Sequence, residues 1–111
     1  MEIELGRIYT TKGWSIVLPA RIVAAGRLEA LVLYTDAAVS SYRSAYADYD
    51  TNTGKYIGTL RHMDMADPIL DLDIAEAVLA SVVYKGWNQS DNDSYFEDRL
   101  QAFLKLFREV Y

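Results

Sequence analysis

Residues Ser41 to Arg61 read Ser-Tyr-Arg-Ser-Ala-Tyr-Ala-Asp-Tyr-Asp-Thr-Asn-Thr-Gly-Lys-Tyr-Ile-Gly-Thr-Leu-Arg. Asn52 and Gly54 supply turn chemistry between two runs of strand-forming residues, the signature of a hairpin. With Asp50 opposite Lys55, one face carries Ala45, Ala47, Tyr49, Tyr56, Gly58 and Leu60. Its small side chains would let a helix approach closely. The other face carries Ser44, Tyr46, Asp48, Ile57, Thr59 and Arg61 and suits solvent or a partner. A slip of one residue would exchange the two faces.

Upstream of the hairpin the chain also reads as strands. Ile3–Tyr9 alternates in part, and Thr11-Lys12-Gly13 is a turn signal. Trp14–Ala25 is rich in Ile and Val, and its Pro19 marks an edge, a bulge or a break. After the tight turn at Gly26-Arg27, Leu28–Thr35 is apolar enough for a central strand. Asp36–Ser40 is a connection.

Downstream the period changes from two to three or four. Asp73-Ile74-Ala75-Glu76 matches a capping box, with Asp71 as the alternative cap. The helix runs from Ile74 to Lys85 and stops at Gly86, with Ile74, Val78 and Val82 as its buried stripe. Ser94-Tyr95-Phe96-Glu97 is a second capping box. The helix it opens runs to Val110, with Phe96, Leu100, Phe103, Phe107 and Val110 on one face. Strands first and helices after give an α+β class: an antiparallel sheet of four or five strands, then two C-terminal helices packed on one face. The 111 residues form one domain, strand-rich over 1–62 and helical over 71–111.

Composition excludes several functions. No apolar run reaches the ~18 residues of a transmembrane helix. Met1-Glu2-Ile3-Glu4 lacks the basic and apolar regions of a signal peptide. Cysteine is absent, so there is neither a disulfide framework nor a thiolate zinc site. A soluble cytoplasmic protein without a membrane partner is expected. The net charge of −5 is unevenly spread: residues 36–98 hold twelve acids and four bases. That field opposes direct nucleic-acid binding, which uses a basic stripe, and favours a basic protein partner.

Catalytic motifs are missing. His62 is the only histidine, and no nucleophile elbow, P-loop or dinucleotide fingerprint occurs. Asp64, Asp67, Asp71 and Asp73 lie within ten residues. Asp67-Pro68 reads as a turn dipeptide, and Asp71 or Asp73 as a cap, so these acids are read as structural rather than metal-binding. Asp48–Gly54 begins like a calcium loop, but Thr53 and Thr59 hold the positions that need Gly and Glu. No enzyme activity, cofactor or metal is expected. Of nine tyrosines, Tyr46 is the best interface candidate, since the hairpin register puts it beside Asp48 on the polar face.

Gly86-Trp87-Asn88-Gln89 closes the first helix. Asp91, Asn92 and Asp93 follow it, and then Tyr95-Phe96-Glu97-Asp98. This segment resembles a small phage-borne anti-CRISPR family that blocks the type II effector nuclease. Members of that family imitate DNA by placing acidic side chains in a basic groove. The resemblance implies an inhibitor. By position, the hairpin-turn role falls on Asp48, Asp50 and Asn52, and the loop role on Asp91, Asp93 and Glu97.

The expected function is therefore a non-enzymatic acidic module that occupies a basic, nucleic-acid-binding surface of a partner protein. Its contacts would be Tyr46, Asp48, Asp50, Asn52, Asp91, Asp93 and Glu97. The alternatives are a toxin-immunity protein, or a structural subunit that forms a homodimer through the tyrosine-bearing sheet face.

Overall fold

The computed structural model describes residues 2–13, 15–34, 43–58, 63–84 and 94–111. Six antiparallel strands are followed by two helices: β1 (Tyr9–Thr11), β2 (Ser15–Ala24), β3 (Arg27–Tyr34), β4 (Arg43–Asp50), β5 (Tyr56–Ile57), β6 (Met65–Pro68), α1 (Leu72–Tyr84) and α2 (Ser94–Val110). The sheet order is β5-β4-β3-β2-β1-β6, so β3 is central. The α+β class holds, with one strand more than the upper expectation.

The hairpin register is the expected one, with Tyr49 opposite Tyr56 and Asp48 opposite Ile57. Pro19 is tolerated because the β2–β3 register shifts between Pro19 and Arg21, a bulge that removes the need for a ladder donor. β1 is shorter than expected. Gly6 takes φ +89° and Arg7 N–H turns back to the Glu4 carbonyl at 3.3 Å, so regular pairing starts only at Tyr9. β6 replaces the expected turn at Asp67-Pro68. It pairs on one side with β1, and its terminal Pro68 stands opposite Tyr9 at the irregular end of that ladder.

The sheet curls until its two outer strands meet. Met65 N–H donates to the Gly54 carbonyl (2.9 Å) and Tyr56 N–H to Asp64 Oδ1 (2.8 Å). Tyr49 Oη donates to the Met63 carbonyl at 3.1 Å. Ile3, Tyr9, Val17, Leu28, Ala30, Val32, Ala47, Tyr49 and Met65 fill the inside of the curl, with Tyr56 packed against them. All six strands and the N-terminal segment thus share one interior. Burial pushes the Tyr9 hydroxyl above the usual tyrosine pKa range, and the Glu4 N–H that it accepts at 2.8 Å pulls part of the way back.

The outer face of the curl carries a second core, made of Ile8, Leu18, Ala20, Leu31 and Leu33 under Ala75, Leu79, Leu100, Phe103 and Phe107. Each large side chain buried here contributes about 1.5–3 kcal/mol. The expected α2 stripe holds at Leu100, Phe103 and Phe107. Both helices pack on this face, as expected, but it is the Tyr46 face of β4 and not the alanine face. The curl accounts for the reversal: it turns the Ala47 and Tyr49 side of β4 into the inner cluster.

α1 also differs in rotation. Asp71 is its cap: Oδ1 accepts Ile74 N–H at 3.0 Å, and the Asp71 carbonyl accepts Ala75 N–H at 3.0 Å. Asp73 therefore lies inside the first turn. The stripe turned to the core is Ala75, Val78 and Leu79, and Ile74 faces solvent. α2 ends on Tyr111, whose hydroxyl donates to the Ile69 carbonyl (2.6 Å) and accepts Ile8 N–H (3.1 Å). Asp36–Ser40, His62 and the Gly86–Asp93 segment lie outside the described residues.

Candidate functional site

The hairpin holds four of the seven expected contact residues and α2 a fifth, Glu97, and Asp91 and Asp93 lie outside the described residues. Tyr46 is not a surface residue of a polar face. It is half-buried against the helix-covered core, and the Arg99 guanidinium lies 5.0 Å from its ring centroid. Tyr46 is therefore partly enclosed beneath α2 rather than displayed on an open polar face.

Asp48 is paired with Arg27, Oδ2 to Nε at 2.7 Å. Asp50 closes its own turn: Oδ1 accepts Asn52 N–H at 2.8 Å and Thr53 N–H at 3.0 Å. These two hydrogen bonds hold the Asp50 carboxyl below the usual carboxylate pKa range. Asn52 is exposed at the tip, and Glu97 is exposed on α2, accepting from Gln101 Nε2 at 3.2 Å. Arg99 joins α2 to Glu29, which stands directly opposite Asp48 in the ladder, and Arg21 also reaches Glu29 at 3.3 Å. Glu29 and Asp48 therefore meet Arg21, Arg27 and Arg99.

A different stretch of chain is acidic without bases of its own, although Lys12 lines the pocket that holds Asp64. From Met63 to Tyr84 the chain holds Asp64, Asp67, Asp71, Asp73 and Glu76 and no Lys or Arg. All five are exposed, and among the described residues none joins an ion pair. Leu70, Leu72 and Ile74 alternate with them and are 72%, 42% and 56% exposed. Leu70 precedes the Asp71 cap, where an apolar side chain usually packs back on the fourth helical residue. That residue is the fully buried Ala75, and Leu70 points away to solvent instead.

An open groove of about 530 Å³ adjoins Leu70. Glu2, Glu4 and Arg7 line it from the N-terminal segment, Pro68 and Leu70 from the β6 exit, and Ile3 and Tyr9 from behind. Its one cation is already engaged: Arg7 binds Glu4 at 2.8 Å and stacks 4.6 Å from the Tyr111 ring centroid. The run of five acids without a base was the available signal for this stretch. Assigning Asp71 and Asp73 to capping and Ile74 to the core hides it.

Among the described residues no three His, Asp or Glu side chains are placed to hold a metal ion, and no helix is long and apolar enough to cross a membrane. Comparison with protein-family models, curated proteins and solved structures found no match to this chain.

Proposed function

We propose that this protein is a non-enzymatic binding module whose carboxylates occupy a basic surface of a partner protein, of the kind that holds nucleic-acid phosphates, and so block it. The observation that carries this reading is the run of five exposed acids between Met63 and Tyr84 with no base among them. Clustered like charges repel and are a burden on the folded chain. An opposing basic surface relieves that repulsion and speeds encounter. The hairpin-end acids Asp48 and Asp50 contribute less to this field, since the first is neutralised by Arg27 and the second is engaged in its turn. Inhibition of a nuclease by imitation of DNA, as anti-CRISPR proteins achieve it, is the specific form suggested by the Gly86–Asp98 segment.

The test is a pull-down with the intact chain across a salt series. Basic nucleic-acid-binding proteins should be recovered at low salt, released as salt rises, and lost with the combined variant Asp67→Asn, Asp73→Asn, Glu76→Gln. For a recovered nuclease, or the type II effector itself, addition of the chain should displace labelled DNA. Partners indifferent both to salt and to the triple variant would overturn the proposal.

A further inference from the structure

We infer that the groove between the N-terminal segment and Leu70 takes one lysine of a partner protein, its ammonium against Glu2 and Glu4 and a neighbouring backbone carbonyl on the Tyr9 hydroxyl. This rests on the reading of the chain as an acidic binding module and names where one of its contacts is made. Three unspent groups meet in the groove. Tyr9 is 2% exposed, and its hydroxyl accepts the Glu4 N–H at 2.8 Å. Its own proton has no acceptor among the described residues. Tyr9 and Glu4 both line the groove, so the hydroxyl is the end of Tyr9 that reaches it. A nearly buried O–H donor left unused is costly, and an incoming acceptor relieves that cost. Glu2 joins no ion pair among the described residues. Arg7 engages Glu4 through Oε1 alone, with Nε at 2.9 Å and a second guanidinium nitrogen at 2.8 Å, which leaves Oε2 available.

The charges and walls select the occupant. The groove holds two carboxylates and one guanidinium that Glu4 already neutralises, so its net charge is negative. A nucleic acid or another anion would be repelled. Pro68 and the 72% exposed Leu70 form an apolar wall that suits the alkyl stem of a lysine. The two acids belong to separate side chains. That arrangement favours a compact ammonium over the planar fork of arginine, which matches a single carboxylate. An ammonium carries donors only and cannot use the Tyr9 proton. A lysine within a peptide chain brings the cation, the stem and a carbonyl acceptor together.

The experiment uses the full chain, labelled with ¹⁵N, and reads amide shifts on titration with capped tripeptides that hold Lys, Arg or norleucine between two alanines. Butylammonium, which has the stem and cation without a carbonyl, and oligolysine complete the set. The Lys tripeptide should shift amides over Glu2–Arg7 and at Leu70. It should bind about fivefold tighter than the norleucine tripeptide and than butylammonium. Glu2→Gln should weaken the Lys tripeptide about threefold and leave norleucine unchanged. Tyr9→Phe should bring the Lys tripeptide down to butylammonium and leave butylammonium itself unchanged. Melts by circular dichroism accompany both variants. Glu2→Gln alters an exposed side chain outside every internal bond described above, so it tests the groove even if Tyr9→Phe unfolds.

Equal binding of the Lys and norleucine tripeptides would overturn the charge selection. Tighter binding of the Arg tripeptide would overturn the choice of lysine. Butylammonium binding as tightly as the Lys tripeptide would overturn the peptide carbonyl and assign the groove to a free amine. Oligolysine that binds, with neither it nor the Lys tripeptide responding to Glu2→Gln, would overturn the groove and leave the acidic module standing. Failure of oligolysine and the Lys tripeptide alike would overturn both.

Discussion

The Nε of Arg99 on α2 lies 2.7 Å from Oε1 of Glu29 on β3, and the two side chains are 12% and 14% exposed. This ion pair spans 70 residues of sequence and fixes the early turns of α2 over the central strand. The hydrogen bond to Glu29 holds Arg99 above its ordinary pKa, against the opposing effect of burial. Removing Arg99 leaves the nearly buried Glu29 with only the longer, more exposed pair to Arg21. Arg99→Met, which keeps the stem over Tyr46, should lower stability by about 2–3 kcal/mol in urea unfolding. Glu29→Gln combined with Arg99→Met should cost less than the sum of the two single changes, because both remove the same Glu29–Arg99 pair.

The cap assignment separates two neighbouring aspartates. Asp71→Ala removes the acceptor for Ile74 N–H and should cost about 1 kcal/mol. Asp73→Ala removes only a favourable charge near the helix N-terminus and should cost about 0.5 kcal/mol or less. Thermal melts of the two variants decide it. A larger loss for Asp73→Ala would contradict the cap.

Asp50 should make the hairpin acid-sensitive. Its carboxyl titrates below the usual range because the N–H groups of Asn52 and Thr53 favour the charged form. A group with a lowered folded pKa stabilises the fold above its unfolded pKa and loses that contribution as pH falls through the folded value. The melting temperatures of wild type and Asp50→Ala should therefore differ most at neutral pH and converge in acid. A difference that grows on acidification would carry the wrong sign.

Two glycines with positive φ should respond differently to alanine. At Gly6 (φ +89°) a Cβ would lie 2.6 Å from the Leu106 carbonyl carbon, so backbone strain and a clash with α2 combine. Gly6→Ala should cost more than about 2 kcal/mol. At Gly26 (φ +74°) a Cβ would meet nothing within 4 Å. Gly26→Ala should cost only the conformational term, about 1–2 kcal/mol. Equal losses on denaturant unfolding would remove the close approach of α2 to the N-terminal segment.

Much of the local structure is legible in the residues themselves. Asn52 and Gly54 specify a turn that sets Tyr49 opposite Tyr56, and the apolar run of residues 28–34 is continuous enough to be central. Leu100, Phe103 and Phe107 mark the buried face of α2. β6 escapes because four residues ending in proline carry too little pattern to read. The cap at Asp71 escapes because Asp73-Ile74-Ala75-Glu76 satisfies the same motif two residues later.

Short-range order, turns and the apolar stripe of a long helix, follows from the chain because it depends on neighbours a few positions away. Tertiary closure alone determined which side of β4 turns to the helix-covered core, since both sides carry apolar residues and only the curl of the sheet takes the Ala47 and Tyr49 side to its inside. The same closure left Leu70, Leu72 and Ile74 in solvent among their acids. Exposure depends on what a distant segment covers, and alternation along one segment carries no information about that.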